Sequence, residues 1–130
     1  HMRDPFEFLK TTQKMLKTNG VHICEIPCYE DALTSLYKIP AFEKFYWSKA
    51  HHYYYNFKSL EFILKKLNYK FKLVPEQRYD ISNHITWLQD GVPGGQGKYN
   101  DYLSIETREA YRKSLIDSKK CDTIFLYIWK

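Results

Sequence analysis

The apolar positions of this chain switch repeatedly between a helical and a strand period. Phe8, Leu9, Thr12, Met15 and Leu16 fall three and four apart, the stripe of an amphipathic helix. Asp4 stands at its N-cap, Pro5 suits the first helical position, and Glu7 completes a box-like pattern. Gly20 is the expected stop. Val21 to Ile26 is short and mostly apolar, which predicts a strand in a sheet covered on both faces. Tyr29 to Tyr37 is weakly helical, with Leu33, Leu36 and Tyr37 on one side, and Pro40 breaks it. Ala41 to Ser48 predicts a second short helix that groups Phe42, Phe45 and Tyr46. His51-His52-Tyr53-Tyr54-Tyr55 reads either as a strand, which tyrosine favours, or as an ordered loop.

From Asn56 onward the pattern is clearer. Asn56 can cap a helix over Phe57–Leu67, whose buried face is Phe57, Leu60, Ile63, Leu64 and Leu67. Tyr69 to Leu73 alternates strictly, a half-buried strand, and Pro75 places its end at an edge or a bulge. Tyr79 to Gln89 is a short helix, and Gly91 to Gly97 is a glycine-rich loop. Ser104 caps a polar helix that reaches Asp117 or Ser118. Cys121 to Trp129 sets Ile124, Leu126 and Ile128 on one face and Thr123, Phe125 and Tyr127 on the other, an internal strand.

The order is helix, strand, helical insertion, helix, strand, helix, strand. The last helix and strand read most simply as an antiparallel return onto the sheet, giving about three strands. A helix that leads at once into a buried strand is half of a βαβ unit. The expectation is therefore the back part of a larger α/β protein: residues 1–2 as a tag remnant and residues 3–130 as a single domain. The first strand would then carry a free edge.

Composition narrows the classes. With 130 residues and 44% hydrophobic content the chain can bury one core. No apolar run approaches the roughly 20 residues of a membrane helix. The 3 cysteines match no zinc spacing and predict reduced thiols in the cytoplasm. The formal charge of +5 comes from scattered lysines, so nucleic acid is not the expected partner. Aromatic residues reach 18%, with 12 tyrosines, which suits half-buried surfaces and sugar-like ligands.

Asp4-Pro5-Phe6, leading to Leu16-Lys17-Thr18-Asn19-Gly20-Val21-His22-Ile23, resembles the helix and fifth strand of class I S-adenosylmethionine-dependent methyltransferases. The ending after Asn56 is similar to that family's last strands, where the final strand inserts antiparallel between two others. The resemblance implies the C-terminal part of a Rossmann-like methyltransferase fold, about three strands with flanking helices. It also implies a small-molecule substrate. The family's glycine-rich turn and ribose-binding acid have no counterpart here, so S-adenosylmethionine belongs to the parent protein and is not expected to bind this chain alone. Gly94-Gly95-Gln96-Gly97 is not a substitute; it reads as a surface loop or a substrate-side lid.

The stretch from Ala50 to Leu60 resembles a histidine-tyrosine segment of sugar methyltransferases, whose histidine is proposed to act in proton transfer. His51 is its counterpart, although Ala50 stands where those enzymes carry a glutamate. A histidine suits that task because its unperturbed pKa of ~6.5 lies near working pH. His52 and Tyr53 beside it are substrate candidates. Asn83, His84 and Trp87 form a second polar-aromatic group: either ligand contacts, or helix caps and core. Arg78 meets either a phosphate or a surface carboxylate. The competing reading is a non-catalytic interaction module, pairing or self-associating through the free strand edge.

Overall fold

The computed structural model describes residues 1–130. Nine elements follow one another: α1 (Pro5–Met15), β1 (Val21–Pro27), α2 (Ala32–Ser35), α3 (Pro40–Tyr46), α4 (Phe57–Lys66), β2 (Lys70–Glu76), α5 (Ile81–Asp90), α6 (Ile105–Asp117) and β3 (Thr123–Trp129). The strands form one sheet in the order β1-β3-β2. The central strand β3 runs antiparallel to both neighbours, in the register Cys24–Leu126–Leu73. The fold is thus mixed α/β with the antiparallel return expected from the sequence, and β1 has a free edge.

Capping side chains set where the helices begin. Asp4 accepts hydrogen bonds from the Phe6 and Glu7 amides at 2.9 and 3.1 Å. Asn56 and Ser59 form a reciprocal capping box that opens α4. Asp80 and Ser104 cap α5 and α6. The apolar stripes of α1 and α4 then close over one face of the sheet. Leu9, Leu60, Ile63 and Leu64 pack there against Ile124, Leu126 and Ile128. A second core of Leu33, Ile39, Phe42 and Trp87 joins α2, α3 and α5 beyond the ends of the strands.

Several expectations are corrected. The sheet is covered on one face only: β1 alternates between exposed and half-buried residues, and Ile23 is 52% exposed. Its neighbours along that row are Tyr127 and Lys72. Helix α1 stops at Met15, well before Gly20, and Met15 is exposed. Asn19 takes the left-handed conformation of the turn, with φ 63°. Gly20 is needed for a different reason, since a Cβ there would lie 2.8 Å from the Lys17 carbonyl. Pro40 does not end a helix but starts one, at the first turn of α3, where its missing N–H costs nothing. The segment His51–Tyr55 is a loop that touches the sheet through a single bridge, Tyr55 to Cys28. The glycine-rich loop is not a free lid. Gln96, Gly97 and Tyr99 are hydrogen bonded to Arg78, Asp80 and Ser82, and Asn83 Nδ2 donates to the Gly94 carbonyl at 2.7 Å.

Candidate functional site

β1 and β2 run in the same direction and both stop at one end of the sheet, where β3 begins. Carboxyl ends of parallel strands are where open α/β sheets bind ligands. A cavity of about 390 Å³ lies at this end. Its apolar walls are Leu33, Phe42, Phe45, Tyr46 and Trp87; its polar groups are Glu25, Asp31, Arg78, Asn83, His84 and Asp122. An apolar pocket with a few converging polar groups is the usual form of a small-molecule site.

The polar groups are held firmly. Asp122, immediately before β3, accepts hydrogen bonds from the Gln77 side chain and from the Arg78 and Tyr79 amides at 2.9 to 3.1 Å. Gln77 in turn accepts from the Asp122 amide at 3.1 Å. His84 is buried on α5, with Nδ1 2.6 Å from the Tyr111 hydroxyl and Nε2 facing the Gln77 amide at 3.3 Å. Burial pushes its pKa down to about 4, so the ring is neutral at working pH. Tyr111 is joined to Tyr37 at 2.7 Å. Arg78 is paired with Glu25 at the rim.

Asp31 differs from Asp122. It caps α2, and one carboxyl oxygen accepts from the Leu33 amide at 2.7 Å. It is 4% exposed and lines the cavity. Loss of solvent, with repulsion from Asp122 added, raises its pKa from 3.8 to about 7. Burial also raises Asp122, but its amide donors pull it back. Asp31 therefore holds a proton to near neutrality.

A second cavity, of about 460 Å³, flanks the free edge of β1 between α1, α4 and the loop at His51. Its lining is mostly apolar, with His22, Cys24, His51, Tyr53 and Tyr55 among its walls. Glu25 and Pro27 belong to both cavities. His51 Nδ1 lies 3.0 Å from the Tyr54 hydroxyl, which donates its own proton to the Tyr46 carbonyl at 2.5 Å. Nδ1 is thereby placed to donate to the Tyr54 oxygen. Tyr53 donates to the Arg3 carbonyl at 3.2 Å and stacks on Tyr55.

The structure thus divides the sequence candidates. His51 and Tyr53 stand at the cavity by the strand edge; Asn83, His84 and Trp87 stand at the cavity by the strand ends. His52 is exposed and lines neither. Trp87 is core as well as wall, packed edge-on against Phe42 at 5.0 Å. Asp31, Asp122, Gln77 and Tyr111 were missed by sequence reasoning. They carried no clear signal along the chain: Asp122 fell inside the strand expected over Cys121 to Trp129, and Asp31 inside the segment Tyr29 to Tyr37.

No group of three or more His, Cys, Asp or Glu side chains is placed to hold a metal ion. No helix is long and apolar enough to cross a membrane. The glycine-rich loop does not have the setting of a turn that holds S-adenosylmethionine. The only glycine-rich loop follows helix α5 rather than a strand, and a Cβ at Gly95 would lie 1.9 Å from Thr86 Oγ1, so that side of the loop is filled by the chain itself.

No protein-family model matches the chain, and no curated protein matches it. Among solved structures, a SAM-dependent methyltransferase from Archaeoglobus fulgidus is similar in fold, with a TM-score of 0.52 and 19% identity. The match covers 98% of this chain and 53% of that one. This chain therefore spans about half the length of that methyltransferase. At this identity the likeness defines the fold: a three-stranded sheet with flanking helices, of the methyltransferase type.

Proposed function

We propose that this chain is the C-terminal, substrate-side part of an S-adenosylmethionine-dependent methyltransferase that acts on a small molecule, a sugar or a nucleotide-linked intermediate. The observation that carries this reading is the sheet order β1-β3-β2 with β3 reversed, shared in fold with a methyltransferase about half of which this chain spans. The acceptor occupies the cavity at the strand ends. The cofactor is supplied by a nucleotide-binding half that adds strands to the free edge of β1. His51 lines the cavity beside that edge, which shares Glu25 and Pro27 with the acceptor cavity, and its Nε2 makes no hydrogen bond within the protein, which supports it as the proton acceptor. The aromatic walls and the buried Asn83 and His84 suit a hydroxylated ring.

Calorimetry of residues 3–130 with S-adenosylmethionine is expected to show no binding. Transfer of a labelled methyl group to a panel of sugars and nucleotide sugars is expected only from a polypeptide with a glycine-rich strand-turn-helix ahead of Arg3. Tight cofactor binding by this chain alone would overturn the reading. A second reading, a non-catalytic module that pairs through β1, is supported by the exposed Val21 and Ile23 on that edge strand.

A further inference from the structure

Three carboxyl groups converge on the cavity at the strand ends: Glu25 at the rim, Asp31 and Asp122 in the wall. Arg78 is the single cationic side chain among the lining residues, and it is already paired with Glu25. In a chain of formal net charge +5, this spot is locally acidic. The two buried carboxyls are not equivalent. Both oxygens of Asp122 accept amide hydrogen bonds. Asp31 uses one oxygen for the Leu33 amide; the other has no partner within the protein. The carboxyl is 4% exposed as a whole, and its second oxygen opens onto the cavity rather than onto a protein donor. It is the natural position for a donor that arrives with the ligand.

We propose that this cavity binds its small molecule through an amine, anchored on the free carboxyl oxygen of Asp31. The inference names the acceptor class for the cavity assigned above and rests on that assignment. An ammonium brings both the N–H donor that Asp31 lacks and the positive charge that offsets the carboxyl excess. A hydroxyl brings only the donor, and a carboxylate or phosphate would add negative charge beside Asp31 and Asp122 while bringing no cation. Trp87, Phe42 and Tyr46 give the cation aromatic neighbours. The groups facing Asp31 are Tyr46 from α3, Tyr111 from α6 and Asp122 before β3; none of them carries a positive charge. The raised pKa of Asp31 agrees with a carboxyl that lacks its counter-charge.

The test uses the labelled chain and four probes: glucosamine, cyclohexylamine, glucose and glucuronate. Nuclear magnetic resonance follows the Trp87 indole N–H and the Asp31 carboxyl carbon. Both amines are expected to move both signals and to lower the titration midpoint of Asp31. Glucose is expected to bind at least about tenfold more weakly than glucosamine, the effect of one charge-assisted hydrogen bond. Glucuronate is expected to leave both signals unmoved. Asp31→Asn keeps the Leu33 cap, so its thermal midpoint is expected not to fall, while glucosamine affinity drops at least about tenfold. Equal glucosamine binding by Asp31→Asn, a preference for glucuronate, or an Asp31 signal indifferent to both amines would each overturn the proposal. None of these readouts involves S-adenosylmethionine, so a failure of the cofactor assignment in calorimetry is seen separately.

Discussion

Asp31 and His84 sit on the same cavity and respond to pH in opposite senses. The folded chain holds the Asp31 carboxyl up at about 7, so the fold favours its protonated form. That contribution is complete below the ordinary value of 3.8 and is lost as pH rises through about 7. His84 is held down at about 4, so the fold favours the neutral ring. Its contribution is complete above 6.5 and is lost as pH falls toward about 4. Between those limits the two effects oppose each other, each by up to roughly 1.4 kcal/mol per pH unit. Asp31→Asn removes one side of the balance. Urea denaturation from about pH 4.5 to 6.5 is expected to show the variant gaining on the wild type by roughly 1 kcal/mol per unit. A pH-independent difference would mean that Asp31 titrates as an ordinary carboxylate. At this scale the sequence was least legible. Asn83, His84 and Trp87 were readable as a group because they share one helix. Asp31, Gln77, Tyr111 and Asp122 come from four separate segments, and only the fold brings them together.

The elements themselves were legible wherever a side chain caps or terminates them locally. Asn56 shows how much one such residue sets. Its side chain accepts from the Ser59 amide at 2.9 Å, its own amide donates to the Ser59 hydroxyl at 3.0 Å, and its Nδ2 reaches Glu30 at 3.2 Å. These contacts open α4, the helix that brings Phe57, Leu60, Ile63 and Leu64 to the core. Asn56→Ala is expected to cost about 1 to 2 kcal/mol, read as a lower thermal midpoint with the same circular dichroism spectrum. A midpoint within error of the wild type would show that packing alone fixes α4. Elements were misread where competing signals of equal strength met. Gly20 and Asn19 are both able to take a left-handed turn, and Asn19 does so. Pro40 both breaks and begins helices, and the deciding factor, Phe42 packing on Trp87, is a long-range contact. Val21 to Ile26 is apolar enough for two covered faces, yet no element of this chain lies over the second.

For the whole molecule, the topology was legible because β3 is apolar or aromatic at every position after Thr123, the composition of an internal strand. The free edge of β1 was legible from the order of elements; the bare face was not, because the apolar run Val21 to Ile26 suits a covered face equally well. Val21 and Ile23 stand exposed on β1, in rows that continue into Trp129 and Tyr127 on the central strand. Lys70 lies 6.0 Å from the Trp129 ring centre and shields part of this surface, but no lysine lies on β1 itself. Unpaired amides next to exposed apolar side chains form a template for another strand. Whether the partner is a nucleotide-binding half or a second copy, the isolated chain is expected to associate reversibly as concentration rises in sedimentation velocity. Ile23→Lys puts a desolvation penalty on that edge and is expected to weaken the association without lowering the thermal midpoint. Hydrogen exchange adds an independent view: alternate β1 amides are expected to exchange quickly in dilute solution and slowly in the associated state, while β3 stays protected in both. A chain that sediments as one monomer at every concentration, with its β1 amides protected throughout, would mean that this edge is already closed and that neither pairing reading holds.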